Sequence, residues 1–87
     1  MKTEIQIRNE IRQFVLENFL MGEVSLMPAD NASFLENGTI DSTGVLEVVM
    51  FLEGNFDFKV EDRELVPENI DSVDSQVEFV LRKQRAA

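Results

Sequence analysis

Ser42 is the residue whose type and position could do chemistry in this chain. It lies in residues 39–47, where a turn-rich stretch meets an apolar, helix-like run. The chain contains no Cys and no His, so no imidazole is available to activate the serine as a nucleophile. The chemistry that remains for Ser42 is to be an attachment point for a group that brings its own reactive atom.

A structural interpretation of the same residue is also open. Asp41 and Ser42 are both good N-cap residues for the helix that follows. If Ser42 is the cap, Ser42→Ala should cost about 1 kcal/mol of stability. A residue at a helix N-terminus also meets unpaired backbone N–H groups and the positive end of the helix dipole, which would suit an attached phosphodiester.

Apolar periodicity predicts that helices position this serine. A first helix near residues 4–20 should begin with a capping box of Thr3 and Gln6, and its apolar face should carry Ile7, Ile11 and Val15. Residues 22–40 are rich in Gly, Pro, Asn and Ser, which predicts a long loop. Connections of this length are uncommon in a small domain unless they have a function.

The remaining pattern predicts three more helices. The second should run from Asp41 or Ser42 to Glu53 and end at Gly54, and residues 56–60 should form an extended linker. A short helix should start at Pro67, and a last one should follow a cap at residue 71 or 72. The predicted fold is an all-α four-helix bundle with three long helices and one short, in a single domain spanning residues 1–87.

Charge restricts the classes of partner. The formal net charge is −9, and residues 36–78 hold 12 of the 17 acidic residues but only 2 of the 8 basic ones. Such a surface repels phosphate backbones, which argues against nucleic acid, and it should attract basic patches on other proteins. The absence of a signal-peptide pattern and of an apolar run of roughly 20 residues predicts a soluble cytoplasmic protein.

Composition also argues against independent catalysis. Without His or Cys, the commonest catalytic triads and most transition-metal sites are excluded. Asp57, Glu61, Asp62 and Glu64 do not have the spacing of a calcium-binding EF-hand loop, so no metal site is expected there. We therefore expect that the chain is not an enzyme.

In the order of its elements, the chain resembles the acyl carrier proteins, including aminoacyl and peptidyl carriers. The resemblance covers an amphipathic first helix, Phe34-Leu35 in the long loop, and Asp41-Ser42 opening an acidic apolar helix. It continues through residues 52–56 and residues 67–73. The Asp-Ser pair alone is a weak motif, but the pair in this order of elements and with this charge is fairly specific.

The resemblance implies a prosthetic group and a set of partners. Ser42 would carry a 4′-phosphopantetheine arm through a phosphodiester, and Asp41 would help the phosphopantetheinyl transferase to engage the carrier. The arm's thiol would hold acyl or aminoacyl groups as thioesters. Partners would be an acyl- or aminoacyl-activating ligase and downstream transferases or synthases with basic docking surfaces. The carrier would be a monomer.

The chain departs from the family pattern directly after the serine. Carriers usually have Leu or Met where this chain has Thr43, and carriers of primary fatty-acid synthesis usually have an acid where it has Gly44. The resemblance therefore favours a specialised or aminoacyl pathway over fatty acid biosynthesis.

The second predicted helix should also carry the partner contacts. Glu47 and Glu53 would face basic partners, with Leu46 and Met50 as apolar contacts between them, although core packing of Leu46 and Met50 is an equal alternative. Val48, Leu52 and Phe56 are assigned to the core. A different function also remains open, namely an acidic helical adaptor that carries no prosthetic group.

Overall fold

The computed structural model describes residues 1–86, which form five α-helices and no β-strand. The helices are α1 (Glu4–Phe19), α2 (Phe34–Asn37), α3 (Val45–Phe56), α4 (Pro67–Ile70) and α5 (Val73–Ala86). Single 3₁₀ turns lie at Val24–Leu26 and Asp62–Glu64. The predicted all-α fold class is confirmed, and the four predicted helices correspond to α1, α3, α4 and α5.

The core is formed by one apolar stripe from each long helix. α1 contributes residues at intervals of four, because side chains four apart lie on the same helical face. α3 contributes the three residues assigned to the core from the sequence. The fully buried or nearly buried apolar residues of these helices are Ile7, Ile11, Val15, Val48, Leu52, Phe56, Val73, Val77, Phe79 and Val80.

The start of α1 has the predicted capping box. The Gln6 amide donates to Thr3 Oγ1 at 3.2 Å, and the Thr3 amide donates to Gln6 Oε1 at 2.9 Å. Two backbone donors that would otherwise lack partners at this helix end are therefore satisfied reciprocally.

The first half of the long loop is held by a cluster of charges around Asp30. Arg8 Nη1 donates to Asp30 Oδ2 at 2.8 Å and to Asp74 Oδ1 at 2.6 Å, and Arg12 also pairs with Asp30. The Asp74 amide donates to the Asp30 carbonyl at 2.9 Å. Together these contacts attach the loop to both α1 and α5.

The second half of the long loop contains α2, which the sequence does not predict. Four residues are too few to show a helical period, so no sequence pattern predicts this helix. Its main apolar anchor is Phe34, which is 1% exposed, whereas Leu35 is 49% exposed. α2 ends at Gly38, whose φ of 71° is the left-handed conformation that favours glycine.

α3 ends later than the sequence predicts. Phe56 was expected in the extended linker, and this prediction is wrong, because Phe56 lies four residues after Leu52 and packs on the same buried face. Asp57, with φ of 59°, ends the helix. The Val60 amide then donates to Glu53 Oε2 at 2.8 Å, which holds the following segment against the helix.

Candidate functional site

Ser42 lies in a turn, residues 41–44, that directly precedes α3. The turn is closed by Asp41, whose Oδ1 accepts from the Gly44 amide at 2.9 Å and from Thr43 Oγ1 at 2.7 Å. The Gly44 amide also donates to the Asp41 carbonyl at 3.0 Å. Asp41 therefore closes this turn, whereas α3 begins at Val45, later than the predicted start at Asp41 or Ser42, with Gly44 as its N-cap and no side-chain cap.

The Ser42 side chain takes no part in the hydrogen bonds that close the turn. Ser42 is exposed, and its Oγ makes no hydrogen bond to any residue in the described part of the chain. The alternative that Ser42 caps the second helix is wrong, because the N-cap of α3 is Gly44 and the Gly44 amide donates to the carboxylate of Asp41. The position thus offers an accessible hydroxyl that the fold does not use.

The electrostatics of the turn are set by Asp41. The pKa of this carboxyl lies below its usual value, first because the Thr43 hydroxyl donates to it and then because the Gly44 amide does. Both hydrogen bonds favour the charged form of the acid. The residue next to Ser42 in the chain therefore carries a negative charge at neutral pH.

The packing around Gly44, the last residue of the turn, leaves little room for a side chain at this position. This residue is buried, and a Cβ built on it would lie 2.8 Å from Phe19 Cε1 and 2.9 Å from Ile40 Cγ2. Distances below 3.0 Å require a neighbouring group to move. The turn therefore rests directly on the end of α1, and the sequence gives no sign of this contact.

An apolar pocket of about 180 Å³ opens beside the turn. Ile40 and Val45, which flank the turn on either side, both line it. The remaining walls come from α2, α3, α4 and the segment before α4, through Phe34, Leu35, Val48, Leu65, Val66, Pro67, Ile70 and Asp71. Apolar pockets with a few polar groups at the rim are typical of ligand sites.

The outer face of α3 is apolar and acidic. Leu46 is 66% exposed and Met50 is 72% exposed, which excludes the alternative that they pack in the core. Glu47 is exposed beside them, and α3 contains no Lys or Arg. Glu53 is less available, because it is half-buried and accepts from the Val60 amide.

The described residues contain no group of three or more His, Cys, Asp or Glu side chains that could hold a metal ion. Glu64, one of the acids considered for calcium, has a structural contact, since its Oε1 accepts from the Glu61 amide at 2.9 Å. Glu64 also accepts from Lys83 Nζ at 2.9 Å. Within residues 1–86, no helix combines the length and the apolar character needed to cross a membrane.

Comparison with curated proteins agrees with this arrangement. Acyl carrier proteins of Buchnera aphidicola subsp. Acyrthosiphon pisum, strains Tuc7 and APS, are each 27% identical over 77 residues, covering 88% of this chain and 91% of the relative. The acyl carrier protein of Buchnera aphidicola subsp. Schizaphis graminum (strain Sg) is 29% identical over 56 residues, covering 64% of this chain and 68% of the relative. This chain is similar to acyl carrier proteins.

The resemblance predicted from the sequence is thus confirmed by these acyl carrier proteins. Their name is that of a carrier and not of a catalyst, in agreement with the prediction that this chain is not an enzyme. No family model matches the chain, and no solved structure matches it.

Proposed function

We propose that this protein is a carrier whose Ser42 hydroxyl is esterified by 4′-phosphopantetheine, and that it moves acyl or aminoacyl intermediates between enzymes. The observation that carries the proposal is the exposed Ser42 hydroxyl, which has no partner among residues 1–86 while Asp41 closes the turn. A hydroxyl with no structural role can be esterified without loss of a hydrogen bond that the fold needs.

The residues around Ser42 fit such a group. The arm supplies a thiol that holds its cargo as a thioester, which accounts for function in a chain without Cys. The apolar pocket reached past Ile40 and Val45 offers a place for an apolar part of the cargo or arm. The protein's own role is to present the attachment site and to shelter what is attached to it.

The exposed face of α3 supports the proposed docking of partner enzymes. Leu46 and Met50 provide apolar contact, and Met adapts to differently shaped surfaces. Asp41, Glu47 and the outer part of Glu53 would direct this face toward basic surfaces on the transferase, ligase or synthase. We expect these encounters to be brief and weakened by salt, as suits a carrier that must leave each enzyme.

Gly44 supports a specialised or aminoacyl pathway rather than primary fatty-acid synthesis. The acid usual at this position in the carriers of primary synthesis would meet the side chains of Phe19 and Ile40. The transferase and the ligase that recognise this chain would therefore meet no acidic side chain between Thr43 and Glu47.

The test is an intact-mass measurement. The purified chain is incubated with coenzyme A, magnesium and a broad-specificity phosphopantetheinyl transferase, and we expect it to gain the mass of one phosphopantetheine. Ser42→Ala should gain nothing, because the attachment oxygen is gone. Thr43→Ala is the matched control, since it removes the neighbouring hydroxyl and should leave the gain of mass intact.

Two outcomes would contradict the proposal. If Ser42→Ala gains the same mass as the parent chain, the site is wrong. If the parent chain gains no mass with any transferase tried while it is folded, the adaptor interpretation replaces the carrier.

A further inference from the structure

Asp71 occupies a central position in the hydrogen bonding of α2. Every hydrogen bond that links residues 33–40 to another part of the described chain is made to Asp71. Its carboxylate accepts from the Leu35 amide at 3.0 Å and from the Ser33 hydroxyl, and its carbonyl accepts from the Phe34 amide at 2.8 Å. One residue thus provides all the polar attachment of this segment.

Asp71 itself is held from the opposite side. It follows directly after Ile70, the last residue of α4, and the Ile70 carbonyl accepts from Nε2 of the buried Gln76 at 2.7 Å. The amide of Asp71 donates to the Pro67 carbonyl at 2.9 Å. α4 is therefore fixed to α5, and the hydrogen bonds that fix α2 to the end of α4 all go to one residue, Asp71, through its carboxylate and its carbonyl.

Both attached segments are walls of the apolar pocket beside the Ser42 turn. Phe34 and Leu35 line it from α2, and Ile70 and Asp71 line it from the end of α4. Val48 of α3 forms another wall of the pocket. It belongs to the buried core, and among the described residues no hydrogen bond links it to α2. If α2 moves away from α4, the pocket opens, because the apolar side chains of the two helices then separate.

We propose that Asp71 is a positioning residue that clamps α2 to α4 and so controls access to the apolar pocket. Loss of its carboxylate leaves α2 attached by the Phe34 side chain and one backbone hydrogen bond. Short segments with few remaining contacts open locally without global unfolding. The consequence for cargo rests on the proposed carrier function, since the same opening would let an attached apolar group enter or leave.

The experiment uses the unmodified chain, so that its outcome does not depend on pantetheine. Amide hydrogen exchange is followed by NMR in the parent chain and in Asp71→Ala, together with binding of Nile red, a neutral dye that the net charge of −9 does not repel. We expect exchange at Leu35 to become about 10- to 100-fold faster, because a hydrogen bond to a charged group is lost. Dye fluorescence should increase, while core amides such as that of Val77 keep their relative order of protection.

Two further variants separate the clamp from a general loss of stability. Asp71→Asn retains an acceptor for the Leu35 amide and a group that can bond the Ser33 hydroxyl, so its exchange and dye binding should return close to those of the parent. Asp74→Ala also removes a carboxylate from the start of α5, where it pairs with Arg8, but it does not touch the pocket. It should leave dye binding unchanged.

The clamp is refuted if Asp71→Ala and Asp74→Ala give equal Leu35 exchange and equal dye binding. If Asp71→Ala fails to fold, Ser33→Ala provides a second test: it removes the Ser33 contact to Asp71 together with the cap that Ser33 makes on the Glu36 amide, and dye binding and Leu35 exchange should change in the same direction. A chain that shows the clamp but gains no phosphopantetheine disproves only the carrier. A chain that gains it without any effect of Asp71 disproves only the clamp.

Discussion

Two Asp-Ser pairs precede helices in this protein, and their members have exchanged roles. Before α3, Asp41 accepts the turn amide of Gly44, and the Ser42 hydroxyl has no partner among residues 1–86. Before α5, Ser72 is the cap, with Oγ accepting from the Ser75 amide at 3.0 Å and donating to Ser75 Oγ at 2.9 Å. Asp71 is then available for α2.

A serine is left available for chemistry when the neighbouring aspartate makes the structural hydrogen bonds in its place. Ser72 is 6% exposed and has both hydrogen-bonding functions satisfied, so it has no accessible oxygen to offer. Ser42 is exposed, and no described residue bonds its hydroxyl. The same dipeptide therefore marks a helix start in one place and a candidate attachment site in the other.

The largest expected effect on stability is at Gly44, two positions after Ser42; the equivalent position after Ser72 is Asp74. Gly44 is buried against Phe19 and Ile40, whereas Asp74 points outward to Arg8. We expect Gly44→Ala to lower the free energy of unfolding by about 1–3 kcal/mol through overpacking. Urea denaturation followed by circular dichroism measures this.

Gly54→Ala is the matched control for that change. Gly54 lies within α3, and a Cβ there would meet nothing within 4 Å. Alanine at this helical position should raise stability by about 0.5–1 kcal/mol. Equal stabilisation by both alanines would mean that the Ser42 turn is not packed against α1.

Ser72→Ala should be the next largest effect. It removes the cap of α5 and leaves the Ser75 amide without its acceptor in a partly buried position, so we expect a loss of about 1–2 kcal/mol in urea denaturation. Ser75→Ala keeps the capping contact and should cost less. A Ser72→Ala variant as stable as the parent would contradict the assignment of Ser72 as the cap.

Much of the fold could be predicted from the sequence because its helices bury regular stripes. Ile7, Ile11 and Val15 recur every four residues and are all fully buried. α2 could not be predicted, because it is held by tertiary hydrogen bonds to Asp71, which lies more than 30 residues away in the chain. Local pattern carries no information about such a contact.

The candidate site was only partly predictable, for the same reason. Asp and Ser are comparably good N-caps, so the sequence leaves open which of Asp41 and Ser42 closes the turn. The choice depends on which donors the folded chain brings near each side chain. The packing of Gly44 on Phe19 was likewise hidden, since glycine carries no side chain whose pattern could reveal a neighbour.

The pH dependence of the Ser42 turn provides a subtler test of the exchanged roles. Because the folded pKa of Asp41 lies below its usual value of 3.8, its stabilising contribution is present above that pH and is lost as the pH falls through the lower folded pKa. The Gly44 amide shift in NMR should therefore titrate with a midpoint below 3.8. Asp41→Asn should abolish this titration, and a midpoint above the usual value would contradict Asp41 as the cap.

Ser42→Ala should have the smallest effect on stability. Its hydroxyl supports no hydrogen bond among residues 1–86, so the cost of about 1 kcal/mol expected for a lost cap does not apply. We expect a change within about 0.5 kcal/mol, as for an ordinary surface substitution. Measured beside Ser72→Ala in the same urea series, it compares one substitution at two Asp-Ser pairs. A loss at Ser42 as large as that at Ser72 would mean that the fold uses both hydroxyls, and the Ser42 oxygen would no longer be a free site for attachment.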